Sequence, residues 1–457
     1  MNKKIHFIGI GGIGMSAIAG ILLEQGFQVT GSDLKKTKIT ENLEKLGAKI
    51  IYDHKKENLS DSVCEVVVSS AIQKDNSEYT EALNKGLKIT QRAEKLAEVM
   101  NSKKALCVAG AHGKTTTTGM LFCLLREGKL KPSVMVGGVL NNISGNYMLD
   151  TGEYFVAEAD ESDQSFLMLS PYGSIITNIE DDHMENYGTM EKIINAFELF
   201  LSGNARKDLI TLCIDNENVR LMKDKIPEAI TYSLQNKNAD YYGDNISYQG
   251  IGIGGDLYNK GTFLGRLQLQ IPGYHNLQNA IGAAALAIKL GVSIEDIKEA
   301  FIKFYGVNRR FQILLNKEHL KIIDDYAHHP SEIKATIKGA REAHKGEIII
   351  IFQPHRYSRT FQLLKEFTES FTEADKVILL PVYSAGERDD HGVSTEDILK
   401  GMSLEDREKT VLLNDFKEAE DYIKSKILNK DNNQLIMTMG AGDVFTLGEK
   451  LAESEGV

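Results

Sequence analysis

Short runs of branched apolar residues alternate along the chain with longer stretches in which apolar positions recur every three to four residues. The runs include "EVVVSSA", "ALCVAGA", "GSIITNI", "EIIIIFQ", "KVILLPV" and "NQLIMTM". Strands that are apolar on both faces and separated by helical patterns predict parallel sheets covered by helices, an α/β fold. The theme of strand, glycine loop and helix starts at "IHFIGIGGIGMSAIAG" and restarts at "KKALCVAGAHGKTTTTGMLFCLL"; after "FYGVNRRFQILL", where a helix ends, "LKIIDDYAHHPSEIKATIKGARE" begins a new strand and helix. Three domains are therefore expected, at 1–102, 103–305 and 306–457. The first and third read as Rossmann-like, and the central one as a parallel sheet of the P-loop ATPase type. Within the central domain, "YYGDNISYQGIGIGGDLYNKGTFLGRLQLQIPG" breaks the alternation and predicts added antiparallel strands in hairpins. "YHNLQNAIGAAALAIKLG" then predicts a helix with a small-residue face, ended by Gly291.

Composition narrows the partners. The 457 residues agree with about three domains of ordinary size. A formal net charge of −11 argues against nucleic acid, whose binding needs a basic surface. Cys64, Cys107, Cys123 and Cys213 lack the C-x-x-C spacing of a zinc site or a disulfide framework, as expected for reduced thiols in a cytoplasm. The first apolar run turns at once into glycines and reads as a strand, not a signal segment. No apolar stretch approaches the ~20 residues that span a bilayer, so no membrane insertion is expected.

Candidate chemistry gathers where predicted strands end. Gly9, Gly11 and Gly14 have the G-x-G-x-x-G spacing, and Asp33 closes the next strand. Alone, that pattern would indicate an NAD-dependent oxidoreductase. The second motif, "GAHGKTTTT", changes the picture. Backbone N–H groups of Gly110, Ala111, His112 and Gly113 at a helix N-terminus suit phosphate oxygens. Lys114 can reach terminal phosphates, and the Thr115 hydroxyl, with Thr116 beside it, suits a magnesium-bound nucleotide. Val108 stands where a longer P-loop has its first glycine. Read as structure alone, the loop is a glycine turn before a helix, but four threonines are poor helix formers. By itself "GAHGKT" would also fit a P-loop kinase.

Downstream, "FVAEADESDQSF" brings Glu158, Asp160, Glu161 and Asp163 to the end of an apolar run, and magnesium takes one or two carboxylates. Asp163 reads as part of a solvated loop. "SIITNIEDDHMENYG" delivers Glu180, Asp181, Asp182 and His183 to another strand end, where a metal or phosphate role competes with a structural one. Asn276 and Asn279 either cap a helix or touch a nucleotide. Arg309 and Arg310 are either an exposed pair or a phosphate clamp. In the third domain, Asp324, Asp325, Tyr326, His328, His329 and Ser331 follow one strand, while His355, Arg356, Tyr357 and Arg359 follow another. Two polar clusters at successive strand ends imply a shared ligand edge.

Taken together, "GIGGIGMSAIA", "GAHGKTTTT", "EADESD", "NIEDDHMENYG", "YHNLQNA", "GVNRRF", "DDYAHHP" and "FQPHRYSRT" resemble the Mur ligases, over all three expected domains. "GGIGMS" and "QPHRYSRT" look like the member that adds L-alanine to UDP-N-acetylmuramate; a sister enzyme adding another amino acid or a peptide is the alternative. Ala111 departs from the family's usual threonine. The resemblance implies ATP and Mg²⁺, or Mn²⁺ in its place, with Lys114 and Thr115 on phosphates and metal, and Glu158 and His183 as further metal ligands. It implies that Asn276, Asn279, Arg310 and Asp325 line the nucleotide cleft, and that Tyr326, His328, Arg356 and Arg359 face the acceptor amino acid and the reacting carboxylate. Gly9, Gly11, Gly12, Gly14, Ser32 and Asp33 then dock the UDP-sugar in place of NAD. The implied reaction forms an acyl phosphate, which the amine attacks with a general base such as His328. Domain closure is expected to keep water out. A cytoplasmic monomer or homodimer is expected.

Overall fold

The computed structural model describes residues 3–69, 71–162, 164–181, 184–428 and 432–456, without the side chains of 184 and 185. Its described elements form three sheets with helices between the strands. The chain divides into two compact units: Met1–Gly243 with Leu257–Gly265 and Asn279–Phe301, and Asp244–Asp256 with Arg266–Gln278 and Ile302–Val457.

The first sheet holds five parallel strands in the order Lys49–Ile51, Gln28–Ser32, Lys4–Ile8, Val63–Val68 and Lys88–Gln91. Chain direction across the sheet reverses beside Lys4–Ile8. The crevice at that strand's carboxyl end is where a doubly wound sheet binds ligand. That strand stops at Ile8 because Gly9 turns the backbone at φ +79°. The helix Ile13–Glu24 follows, with Met15–Leu22 buried.

In the second sheet, Lys104–Ala109 lies between the parallel strands Gly173–Ile176 and Tyr154–Glu158. Three adjacent strands thus release their chains at one edge, carrying the 110–115 loop, residues 177–181 and residues 158–162. Ser133–Leu140 and Gly145–Met148 form an antiparallel pair at one side. On the other side the order continues through Ile210–Cys213 and Ile230–Ser233 to Tyr241–Gln249, Gly252–Asn259 and Thr262–Gln268, which are joined by short turns as the Tyr- and Gly-rich segment predicted. The small-residue helix runs Tyr274–Lys289, and Gly291 follows at φ +92°. Its close packing is visible at Gly282, where a Cβ would stand 2.6 Å from the buried ring of Tyr232.

The second unit contains a six-stranded sheet, parallel except for Gln312–Asn316. Its last strand in the chain, Gln434–Met439, inserts between Leu320–Asp325 and Glu347–Phe352. The core beneath is aliphatic and aromatic, with Ile348, Ile350, Phe352, Phe367 and Phe371 almost fully buried. The helix Pro330–Ala343 begins with proline at its first turn, where no N–H is missed, and His329 caps it. The cysteines are free, and among the described residues no helix is long and apolar enough to cross a membrane.

One contact inside the first unit decides how closely its parts approach. The hairpin residue Tyr147 lies against Gly20 of the helix Ile13–Glu24, where a Cβ would come within 2.4 Å of the ring. Tyr147 also donates to Glu24, and Asn146 donates to the carbonyl of Ile13 at 2.7 Å. Overpacking of this kind costs about 1–3 kcal/mol. Gly20→Ala is expected to lower the thermal unfolding midpoint of the chain, read by differential scanning; an unchanged midpoint would show that the contact gives way freely.

Candidate active site

The loop after Lys104–Ala109 is shaped by two glycines in the left-handed region, Gly110 at φ +136° and Gly113 at φ +84°. A Cβ on Gly110 would stand 2.2 Å from the hydroxyl oxygen of Thr177, and one on Gly113 would stand 2.9 Å from Nδ2 of Asn279. Neighbouring side chains pin the loop: Asn178 accepts from the His112 N–H at 2.8 Å, and Thr177 and Asn178 both donate to the His112 carbonyl. The His112 ring lies 3.3 Å from Glu180. Helix Lys114–Glu127 starts directly behind, with Thr116 buried in its first turn. The loop is thus fixed at a helix N-terminus, where an anion is favoured.

Charged side chains crowd around it. Lys114 is folded back, donating to the carbonyls of Gly110 (2.6 Å) and Ala111 (3.1 Å) and to Glu161 (2.8 Å). Burial pulls its ammonium down, but Glu161, Asp160 and Glu158 more than offset this and hold it above its ordinary value. Burial pushes Glu158 and Glu161 up. Burial also raises Asp160, yet Lys114, Ser162 and Arg92 outweigh it and keep that carboxyl low. The Thr115 hydroxyl donates to Glu158 at 3.1 Å. A hydroxyl beside a buried, crowded carboxylate next to an anion cradle fits a hard divalent cation that completes its shell with water and phosphate. Asp163, Asp182 and His183 lie outside the described residues.

In the first sheet, the Ser32 carbonyl accepts the N–H groups of Gly9 (2.9 Å) and Ile10 (3.0 Å), and Asp33 accepts that of Gly11 at 2.8 Å. The Ser32 side chain is fully buried and donates to Glu78, so it shapes this loop from within and does not face a ligand. Gly12 and Gly14 open the following helix, and Arg92 packs beside Gly14.

The second unit carries its own cluster. Asp325 accepts from the N–H groups of Phe311 (2.7 Å) and Ala327 (2.8 Å), and burial pushes it up to about 6. Arg310 lies over the Tyr326 ring, 3.4 Å from Glu332. Arg309 has a different task. It reaches Asp324 and the Gly440 carbonyl and lies over Tyr326 and Phe445, so the two arginines are no exposed pair. His328 meets the Tyr326 carbonyl through Nδ1 at 3.0 Å, and burial, with Arg359 and Arg310, pulls it down to about 4 against Glu332. His355 stacks on Tyr383 and is also pulled down to about 4, by burial and Arg359. The two imidazole rings are 6.1 Å apart. Arg359 bonds His355, and Arg356 adopts φ +73°, a conformation that costs a non-glycine residue about 1–3 kcal/mol and is held by the bond from its N–H to the Tyr383 carbonyl.

Tyr326, His328, Arg310, Asp325 and Arg359 therefore form one group within the second unit, with Arg356 on its more exposed side. Asn276 bonds the Pro272 carbonyl, a structural use within the first turn of its helix. Sequence reasoning missed Glu332 and Glu387, although both organise this group. Glu332 receives the N–H of His328, and Glu387 receives the N–H and hydroxyl of Ser358. It also missed "GAGD" at 440–443, which continues the central strand Gln434–Met439; the strand, glycine loop and helix pattern was the available signal.

Known proteins resemble the chain in three consecutive segments. The chain matches the models described as Mur ligase family, catalytic domain (residues 4–104), Mur ligase middle domain (108–287) and Mur ligase, glutamate ligase domain (309–442). It is 44% identical over 452 residues to a UDP-N-acetylmuramate–L-alanine ligase of Desulforamulus reducens, covering 98% of this chain and 97% of that one. It is 45% identical over 456 residues to the enzyme of that name from Pelotomaculum thermopropionicum, covering 99% and 98%. Among solved structures, it superposes on a UDP-N-acetylmuramate–alanine ligase from Thermotoga maritima with a TM-score of 0.83, 31% identity and 99% coverage of both chains. A murein peptide ligase from Psychrobacter arcticus shares the fold, with a TM-score of 0.71 at 23% identity over 100% and 99% of the two chains. With its three matched segments and relatives similar from end to end, the chain belongs to the Mur ligase family.

Proposed function

We propose that the chain joins L-alanine to the lactyl carboxylate of UDP-N-acetylmuramate at the expense of ATP, releasing ADP and phosphate, in the synthesis of a peptidoglycan precursor. The observation that carries this reading is the end-to-end likeness to ligases of that name, together with an anion cradle built around Lys114. The boundaries adopted for its three domains are 1–102, 103–305 and 306–457, and its expected place is the cytoplasm.

In the first unit, the Gly110–Gly113 backbone cradles the ATP phosphates, and Asn279 borders that loop. Lys114 turns from the Gly110 and Ala111 carbonyls toward the γ-phosphoryl group. Thr115 and Glu158, joined by His183, hold magnesium; when bound, it offsets charge on the phosphoryl oxygens. Gly9, Gly11, Gly12 and Gly14 take the UDP diphosphate at the start of a helix, in a loop that Asp33 holds through the Gly11 N–H. The lactyl carboxylate attacks the γ-phosphorus and ADP leaves, giving an acyl phosphate.

In the second unit, Arg356 and Arg359 take the anionic groups, since guanidinium matches carboxylate and phosphate. Tyr326 and His328 face the acceptor, while Arg310 and Asp325 take the nucleotide side and Asn276 supports its own turn. His328 is neutral at neutral pH because burial and two guanidinium groups hold it down. An anionic acyl phosphate beside it opposes those charges and raises its basicity, which suits it to accept a proton from the attacking amine. The tetrahedral intermediate then expels phosphate.

Phosphate release from ATP should require both UDP-N-acetylmuramate and L-alanine for sustained turnover. Lys114→Ala, shown to be folded by circular dichroism, should lower it at least about 100-fold, as for other lost contacts to developing charge. Release indifferent to both substrates would contradict the ligation; wild-type rates in the variant would remove Lys114 from it.

The imidazole also predicts a pH effect on stability. A folded-state pKa of about 4 against an ordinary 6.5 means that the unfolded chain binds the proton more tightly. Stability from this group is complete above 6.5 and is lost as pH falls toward 4, on the order of 3 kcal/mol in total. His355 acts in the same direction, while Asp325, raised to about 6, gains stability over part of that range. Urea unfolding of His328→Gln at pH 7 and 4.5 should show a smaller acid loss than the parent; an equal loss would contradict the buried neutral imidazole.

A further inference from the structure

Beneath the glycine loop of the first sheet lies a polar cluster that the reaction above does not use. Glu78, on the helix Ser77–Asn84, is fully buried. Its Oε2 accepts from the Ser32 hydroxyl at 2.5 Å, and its Oε1 accepts from the Asn58 amide at 2.5 Å. The His54 ring nitrogen stands 3.0 Å from the Ser32 hydroxyl and 3.4 Å from Glu78. His6, equally buried, meets Thr30 through Nδ1 at 2.9 Å, while its Nε2 stands 3.8 Å from Glu78 and lacks a hydrogen-bond partner. A buried carboxylate is costly unless several groups compensate it. Burial raises this one, and His6, Ser32 and Asn58 more than reverse the effect, holding it below its ordinary value.

We propose that Glu78 is a positioning residue for the UDP end of the substrate, acting through Ser32. Ser32 is the last residue of its strand, and its carbonyl receives the N–H groups of Gly9 and Ile10. The next residue, Asp33, receives that of Gly11. Both acceptors that set the glycine loop thus sit at one strand end, and Glu78 anchors that end from below. The loop's remaining N–H groups can be presented to a diphosphate only while this strand end keeps its place. The role rests on the UDP-sugar reading of the loop.

Glu78→Gln keeps the shape but removes the charge and turns one of the two accepting oxygens into a donor, facing the Asn58 amide or the Ser32 hydroxyl that donates to it. The test is equilibrium binding of UDP-N-acetylmuramate and of ATP, measured separately on the full chain by titration calorimetry. A lost charged hydrogen bond corresponds to about tenfold or more, so Glu78→Gln should weaken UDP-N-acetylmuramate about tenfold and leave ATP within twofold. Ser32→Ala deletes one buried atom from the other end of the link and should give the same selective loss, so a failure of Glu78→Gln to fold leaves the role testable. In the double variant the two losses should not add, since they break one link. Unchanged binding, equal weakening of both ligands, or additive losses would overturn the role. A parent chain that fails to bind UDP-N-acetylmuramate would overturn the substrate reading and this role with it, whereas a parent that binds while both variants match it would overturn this role alone.

Discussion

A parallel strand that must hand its chain to a helix at a ligand edge needs a turn that presents backbone N–H groups outward, and few residues can make it. Three times the chain leaves a central strand through a glycine with positive φ: Gly9 after Lys4–Ile8, Gly110 after Lys104–Ala109 and Gly440 after Gln434–Met439. At Gly110 and Gly440 a Cβ would collide with the chain leaving the neighbouring strand, with Thr177 in one case and the Gln353 carbonyl in the other. Glycine is thus required twice over, for its dihedral and for its missing side chain. Glu158, Thr177 and Glu180 end or follow the strands packed beside the Gly110 exit, and Asp325 and Gln353 those beside the Gly440 exit.

The two units manage charge in opposite ways. Around Lys114 the chain gathers the carboxylates of Glu158, Asp160 and Glu161 against one ammonium, an arrangement that favours bound cations and holds the lysine against Glu161. Around His328 and His355 it concentrates guanidinium groups against neutral imidazoles, an arrangement that favours bound anions. In each, a group of opposite sign fixes the geometry, Glu161 beside Lys114 and Glu332 beside Arg310, the preorganisation on which electrostatic stabilisation depends.

Much of this was legible in the sequence, for a physical reason. Glycine spacing, apolar runs and strand-end charges are local signals, and the Gly9 and Gly110 loops, the helix begun by Pro330 and the hairpin segment lie where those signals put them. The partners that hold the loops were not legible, because they come from distant segments. Glu78 in "NSEYTEALNKG" has the pattern of a solvated helix acid, yet it is fully buried. Ser32 reads as a ligand contact beside Asp33, but its hydroxyl turns inward. Arg309 and Arg310 are adjacent and look equivalent, and only the fold separates them, one tied to Asp324 and the other to Glu332. Glu387 lies 28 positions beyond Arg359, in a loop that carries no motif of its own.

The proposed reaction turns on one step, conversion of the substrate carboxylate to an acyl phosphate before the amide forms. Its most direct test uses UDP-N-acetylmuramate with both lactyl carboxylate oxygens labelled with ¹⁸O, turned over with ATP and L-alanine, and mass analysis of the phosphate. Attack of the carboxylate on the γ-phosphorus, followed by expulsion of phosphate from the tetrahedral intermediate, transfers one labelled oxygen to each phosphate and leaves the other in the amide. Phosphate released without label, alongside product formation, would contradict the account.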